Sequence, residues 1–152
     1  PYAVRADYYG RTTFMHRVIM ERVLNTELDK RIKVDHFDNN GVNNLRSNLR
    51  IASNSQNGQN RDVNKSNPVG LKGVHRNPDN KTKIWRASIT VDGKLQHLGA
   101  SSNPLELHRL YCIAALTHYG EFANFGHTSP FAGFTLADFE KPAIQLRLPL
   151  AE

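Results

Sequence analysis

The sequence predicts an α+β chain made of two small modules in tandem. Three observations predict it. Short stretches of period-2 alternation, each closed by turn formers, recur along the chain. Between them stand three short helical signals, with apolar residues at helical spacing or a capping residue at the start. A polar stretch from Asp62 to Pro68, ending in Asn-Pro, separates the two sets. At 152 residues the chain has room for one ordinary domain or two small ones. The expected division is 1–65, 66–126 and an extended C-terminal arm over 127–152.

Residues 2–6 and 11–15 read as short strands around a turn at Gly10. From Met15 the period changes: Met15, Val18, Ile19 and Val23 recur at helical spacing, which predicts a helix to about Asn25. Lys33 to Phe37 alternates as a strand. Asp38-Asn39-Asn40-Gly41 is dense in turn formers and predicts a loop. Leu49 to Ala52 reads as a returning strand, and Ser53 is a good N-cap for a short helix to about Arg61. Residues 33–61 are thus expected to run strand, long loop, strand, helix.

Beyond the polar stretch, Leu71–Arg76, Ile84–Val91 and Lys94–Leu98 read as strands, the last two joined by an Asp92-Gly93 hairpin turn. In the middle strand Trp85, Ala87, Ile89 and Val91 share one face, while Arg86, Ser88 and Thr90 share the other. A helix follows, with Asn103 as N-cap, Pro104 at its first position, Glu106 at the capping-box position and Gly120 to stop it. Leu107, Leu110, Tyr111 and Ala114 give this helix an apolar face to set against the sheet. The product is a three-stranded antiparallel sheet with one packed helix. The last 26 residues are rich in Pro, Gly and Phe without a period, and are expected to pack their phenylalanines on something.

The formal charge of +6 favours a polyanionic partner. Residues 1–66 carry 11 Lys/Arg against 7 Asp/Glu and residues 67–126 carry 7 against 4, whereas residues 127–152 carry 2 against 3. Both modules are basic and the tail is not. The single cysteine, Cys112, excludes an internal disulfide and any zinc site built on two thiolates, and its apolar helical setting suits an inert core residue. No apolar run approaches the roughly 20 residues of a membrane helix. No signal-peptide pattern stands at the N-terminus, although the chain opens at Pro1 without a methionine, leaving room for an upstream segment. An intracellular, cytoplasmic protein is expected.

The strongest signal is residues 34–60, VDHFDNNGVNNLRSNLRIASNSQNGQN. Asp35-His36, Asn43-Asn44, Asn48-Leu49 and Asn57, 21 residues after His36, resemble the HNH endonucleases of the phage and intron homing type, which have a ββα-metal fold; the Met15-His16-Arg17 helix matches more loosely. The resemblance implies a phage or bacterial setting and phosphodiester hydrolysis on DNA. It makes Asp35 and Asn57 the ligands of Mg²⁺ or Mn²⁺. Histidine is the side chain suited to move a proton near neutral pH, so His36 could be the general base on water. Asn48 is expected to accept from the imidazole N–H and fix its tautomer. One carboxylate and one amide make a weak oxygen site, suited to a hard cation completed by phosphate and water. Arg46, Arg50 and Arg61 are candidates to position the DNA backbone. His16 is expected mainly to tether the hairpin. Asx residues also serve as turn and cap residues, so any one of these positions has a purely structural reading.

Residues 69–126 resemble the ethylene-response-factor type of DNA-binding domain through Leu71-Lys72-Gly73-Val74, Trp85, Asp92-Gly93, Leu98-Gly99, Tyr111, Ala114-Ala115 and Gly120. That resemblance implies a sheet lying in the major groove, with Lys72, His75, Arg86, Ser88, Thr90 and His97 on the DNA side. Ser88, Thr90 and His97 depart from the plant pattern, so the plant target does not carry over. The expected whole is a two-module, metal-dependent endonuclease acting on double-stranded DNA. One site serves one strand, so cutting both requires a homodimer or a second binding event. The rival readings are a DNA-binding regulator with an inert HNH fold and a nuclease for RNA or branched DNA.

Overall fold

The computed structural model of the chain describes residues 2–6 and 10–141. It is an α+β structure of small antiparallel sheets and a few helices, in two compact units, Pro1–Arg61 and Asp62–Glu152.

The first unit opens with β1 (Val4–Ala6) paired to β2 (Thr12–Phe14); residues 7–9 of the expected turn lie outside the described residues. Helix α1 (Met15–Leu24) follows directly and ends on Asn25 in the left-handed conformation (φ 49°), which Asn tolerates better than most residues. β3 (Lys33–His36) pairs with β4 (Leu49–Ala52), setting Asp35 opposite Arg50 and His36 opposite Leu49. Helix α2 (Asn54–Gln59) carries the capping box that Ser53 foreshadows: Ser53 Oγ accepts from Gln56 N at 3.2 Å, and Gln56 Oε1 accepts from Ser53 N at 2.8 Å.

The core here is small, with Met20, Leu28 and Leu49 buried and Ile19, Ile32 and Val34 packed against them. A polar staple supplements it. Arg17 Nε donates to Glu21 at 3.1 Å, its two other nitrogens donate to the carbonyls of Ile32 and Leu28, and Glu21 accepts from Leu28 N. Residues 28–32 are thereby tied to α1.

The second unit is a three-stranded antiparallel sheet, β5 (Val74–Arg76), β6 (Trp85–Val91) and β7 (Lys94–Ser101), against α3 (Pro104–Tyr119). β7 runs three residues further than its alternation predicts. A register shift explains this: Ser88 faces His97 but Ala87 faces Gly99, so Leu98 is a bulge residue with no partner. Asp92 and Gly93 have positive φ (50° and 75°), the hairpin geometry that this dipeptide favours. Asn103 caps α3 by accepting from Leu105 N and Glu106 N, but Glu106 takes the Ser101 hydroxyl at 2.9 Å instead of closing a capping box.

Two expectations for this unit need correction. Asp62–Pro68 is not a loose linker, because Asp62 accepts from His127 N at 2.8 Å and pairs with its Nδ1 at 2.7 Å. Residues 127–141 are not a separate extended arm either. Phe131 and Phe139, the latter on α4 (Leu136–Glu140), are buried with Ile89, Tyr111, Cys112 and Ala115. The arm supplies aromatic volume that the sheet and α3 alone lack. Residues 142–152 lie outside the described residues. Cys112 is fully buried, and burial pushes its thiol up to about 12, in keeping with an inert core residue.

Candidate functional site

The sequence motif converges on the end of β3. Successive strand residues point to opposite faces, and here both faces are covered, so Asp35 and His36 are each 5% exposed. Asp35 turns towards α2. Its carboxylate is held at 2.9 Å by Arg50 Nε, from the position directly across the ladder, and by Asn60 Nδ2 at 3.0 and 3.2 Å. Asn60 also donates to the His36 carbonyl at 2.9 Å and accepts from Asn39 at 3.3 Å. This buried amide, at the C-cap of α2, joins strand, loop and helix.

His36 turns the other way, towards α1 and the first hairpin. Its ring lies 5.1 Å from that of His16, edge-on, and 5.8 Å from that of Tyr2. Its Nε2 meets Asn44 Oδ1 at 3.3 Å. Sequence reasoning assigned that bond to Asn48, and the geometry corrects it. Asn48 instead spans the loop, donating to Asp38 Oδ1 at 2.8 Å and the Asn43 carbonyl at 2.9 Å, and accepting from Asp38 N at 3.1 Å. The physical reason is position. Asn48 ends a 3-10 turn beneath the loop, whereas Asn44 lies on the imidazole side of it. Desolvation opposes ionisation of Asp38, but bonds from Asn43, Asn40 and Asn48 together hold its carboxyl below the usual range.

Asp35, His36, Asn57 and Arg61 line one cavity of about 110 Å³, with Tyr2 and Asn39 also at its wall. The lining offers one carboxylate residue, Asp35, and the amide residues Asn57 and Asn39, hard oxygen ligands of low number. They fit a divalent cation that substrate oxygens and water complete, and not a closed protein cage. No group of three or more His, Cys, Asp or Glu among the described residues could hold a metal ion.

The expected DNA contacts separate. Arg61 is exposed at the cavity and Arg46 is exposed on the loop. Arg50 is not turned outward, because its guanidinium is bound to Asp35 and lies 4.9 Å over the Phe37 ring. In the second unit His75, Arg86, Ser88 and His97 line one open hollow of about 510 Å³ with Leu95. Thr90 shares that face, opposite Leu95. The Leu98 bulge permits the grouping, since one extra residue puts odd-numbered Leu95 and His97 on the same face as even-numbered Ala100. Lys72 is the exception. It precedes β5 and is half-buried, and desolvation lowers its pKa to about 8 against the opposing pull of the nearby Asp62 carboxylate.

Asn60 and Asn44 are the site residues that sequence reasoning missed. Asn60 was legible as the i+3 partner of Asn57 on a helix facing the strand. Asn44 lay inside the quoted motif, but nothing in its spacing distinguished it from Asn43 or Asn48.

No family model matches the chain, and no solved structure matches it. Two of the proteins it is similar to are viral. Over 109 residues it is 31% identical to a protein of Acanthamoeba polyphaga mimivirus named an uncharacterized HNH endonuclease, a match covering 72% of this chain and 54% of that protein. Over 101 residues it is 34% identical to Protein 3.8 of Escherichia phage T7, covering 66% of this chain and 81% of that protein. The chain thus spans about half the length of the mimivirus relative. The ethylene-response-factor resemblance finds no support among these comparisons. The chain belongs to the same family as Protein 3.8 of phage T7, and it is similar to about half of a viral protein that is named an HNH endonuclease.

Proposed function

We propose that the chain is a metal-dependent DNA endonuclease of the HNH type, with residues 33–61 as its ββα module and the sheet of the second unit as its guide on double-stranded DNA. One observation carries the reading: Asp35, His36, Asn57 and Arg61, from a strand, a helix and the segment after it, share one polar cavity. With Asn44 accepting from Nε2–H, the neutral imidazole of His36 keeps its lone pair on Nδ1, the atom that takes a proton from the attacking water. Asp35 and Asn57 hold Mg²⁺ or Mn²⁺, which when bound neutralises charge developing on the phosphate. Arg61 orients the phosphate at the rim. Asn60 and Arg50 fix the direction of the Asp35 carboxylate. On the second unit His75, Arg86, Ser88, Thr90 and His97 face the DNA, in the manner of the ethylene-response-factor sheet. A single copy nicks one strand, and a homodimer would cut both.

The test is supercoiled plasmid incubated with Mg²⁺, Mn²⁺ or EDTA, comparing wild type with His36→Ala. Metal-dependent nicking by wild type, lost in the variant, is the expected result. Equal survival of plasmid with both proteins refutes the nuclease reading. One observation favours a second reading: the Asp35–Arg50 pair is buried, with 6% and 13% side-chain exposure. An arginine neutralising the metal-binding carboxylate suits a DNA-binding regulator whose HNH fold is inert, and that regulator would bind the plasmid without cutting it.

A further inference from the structure

Next to the cavity at Asp35 and His36 lies a larger one, about 290 Å³, lined by Tyr2, Phe14, His16, Lys33 and Asn57 among others. Tyr2, Val34 and Asn57 line both, so the two adjoin. The aromatic rings here do not serve the core of the first unit, which consists of Met20, Leu28, Leu49 and their aliphatic neighbours. Tyr2 is 59% exposed and Phe14 is 44% exposed. They nonetheless form an ordered set: Phe14 stacks on His16 at 5.5 Å between centroids, and Tyr2 stands edge-on to Phe14 at 6.0 Å. His16 completes the wall of this cavity with the ring on which Phe14 stacks.

We infer that this cavity is a subsite for one nucleobase of the substrate strand, the base flanking the phosphate held at Asp35 and His36. The inference rests on the nuclease reading of that neighbouring cavity. π-faces at the wall and a cation at Lys33 are the chemistry that receives an unstacked heterocycle. The volume falls just short of the roughly 300–1,000 Å³ range of small-molecule pockets, enough for one base and not for an extended chain. The shared wall with the cavity at Asp35 and His36 fixes which base. Phe14 is the stacking platform, with His16 behind it. Neither takes part in the chemistry.

The experiment couples a change in the protein to a change in the DNA. A duplex selected by binding from a random library is made with a single abasic site at each position in turn. Its affinity is then measured with wild type, Phe14→Leu and Phe14→Tyr, without metal so that nothing is cut. Phe14→Leu keeps apolar volume and removes the ring, and should weaken binding of the intact duplex about 5- to 150-fold. At one position the abasic duplex should lose affinity for wild type but not for Phe14→Leu, and Phe14→Tyr should behave as wild type. If no position shows this non-additivity, the base subsite is wrong. Plasmid cleavage by the same proteins keeps the two readings apart. Metal-dependent nicking with no Phe14 coupling overturns the subsite alone, whereas coupling without nicking overturns the nuclease reading alone.

Discussion

Asn60→Ala removes a side chain that hydrogen-bonds to both motif residues of β3. Its amide has two N–H groups, so the contacts to Asp35 Oδ1, Asp35 Oδ2 and the His36 carbonyl amount to at most two full hydrogen bonds. A bond to a charged acceptor contributes about 1.5–3 kcal/mol and one to a neutral carbonyl about 0.5–1.5 kcal/mol. Asn60 is 3% exposed, so water does not simply replace it. The expected loss is about 2–4 kcal/mol for the first unit, whose small core leaves little in reserve. At about 4–8 °C per kcal/mol for a domain of this size, the melting transition of that unit should fall by at least 8 °C. Urea denaturation followed by far-UV circular dichroism measures this, and hydrogen exchange at the β3 amides assigns it to the first unit. Asp35→Asn supplies the second arm. If Asn60 acts through the Asp35 charge, the double variant should be less destabilised than the sum of the singles by more than about 0.5 kcal/mol. A loss below 0.5 kcal/mol for Asn60→Ala, or strict additivity with Asp35→Asn, would refute the reasoning.

Four further outcomes follow from the same geometry. Asn44→Ala should lower kcat about 10- to 100-fold with KM little changed, because it orients His36 without touching substrate; Asn48→Ala should instead act on stability through the loop, and steady-state kinetics beside thermal melting separates the two. Gly73→Ala should destabilise the second unit by about 2–5 kcal/mol, since Gly73 has φ 80° and an added Cβ would sit inside the Tyr111 ring; denaturant midpoints test it. Burial holds the His108 imidazole below its ordinary pKa, so the unfolded chain binds more protons as pH falls below about 6.5. His108 stabilisation is therefore complete above that pH and lost below it, and denaturation midpoints at pH 7 and pH 5 should differ less in His108→Asn than in wild type. Arg86→Ala should weaken DNA binding and flatten the dependence of log affinity on log salt by about one unit, measured by titration at several salt concentrations.

Much of the fold was legible because its punctuation is local. Ser53 with Gln56, Asn103 with Pro104, and Asp92-Gly93 each act within a few residues, so the elements they start or join fall where the sequence places them. What escaped depends on contacts distant in sequence. The phenylalanines at 131 and 139 find their place only once α3 and the sheet exist to receive them. The Leu98 bulge is set in register by the partner strand, and Gly99 beside it was its one local sign. Lys72 resembles a surface cation in sequence, yet its backbone carbonyl accepts from buried His108 and its side chain follows the chain inward.

The candidate site divides in the same way. Residue types at the motif positions announce which chemistry is available, but hydrogen-bond partners decide which residue performs which task. Five asparagines stand within or beside the loop, at 39, 40, 43, 44 and 48, and all have the same donor and acceptor inventory. Spacing favoured Asn48 as the imidazole partner, and the folded loop gives that place to Asn44 because Asn48 is spent on Asp38 and Asn43. The same competition governs Arg50. As a charge it suited a phosphate. Opposite Asp35 in the β3–β4 ladder, it meets a buried carboxylate first, and at 6% and 13% exposure each charge needs the other, because a buried charge left without its partner is strongly destabilising. If the site binds a cation, that cation must share Asp35 with Arg50. The site should accordingly hold metal weakly in the free protein and firmly only when substrate phosphate adds its own charge and oxygens.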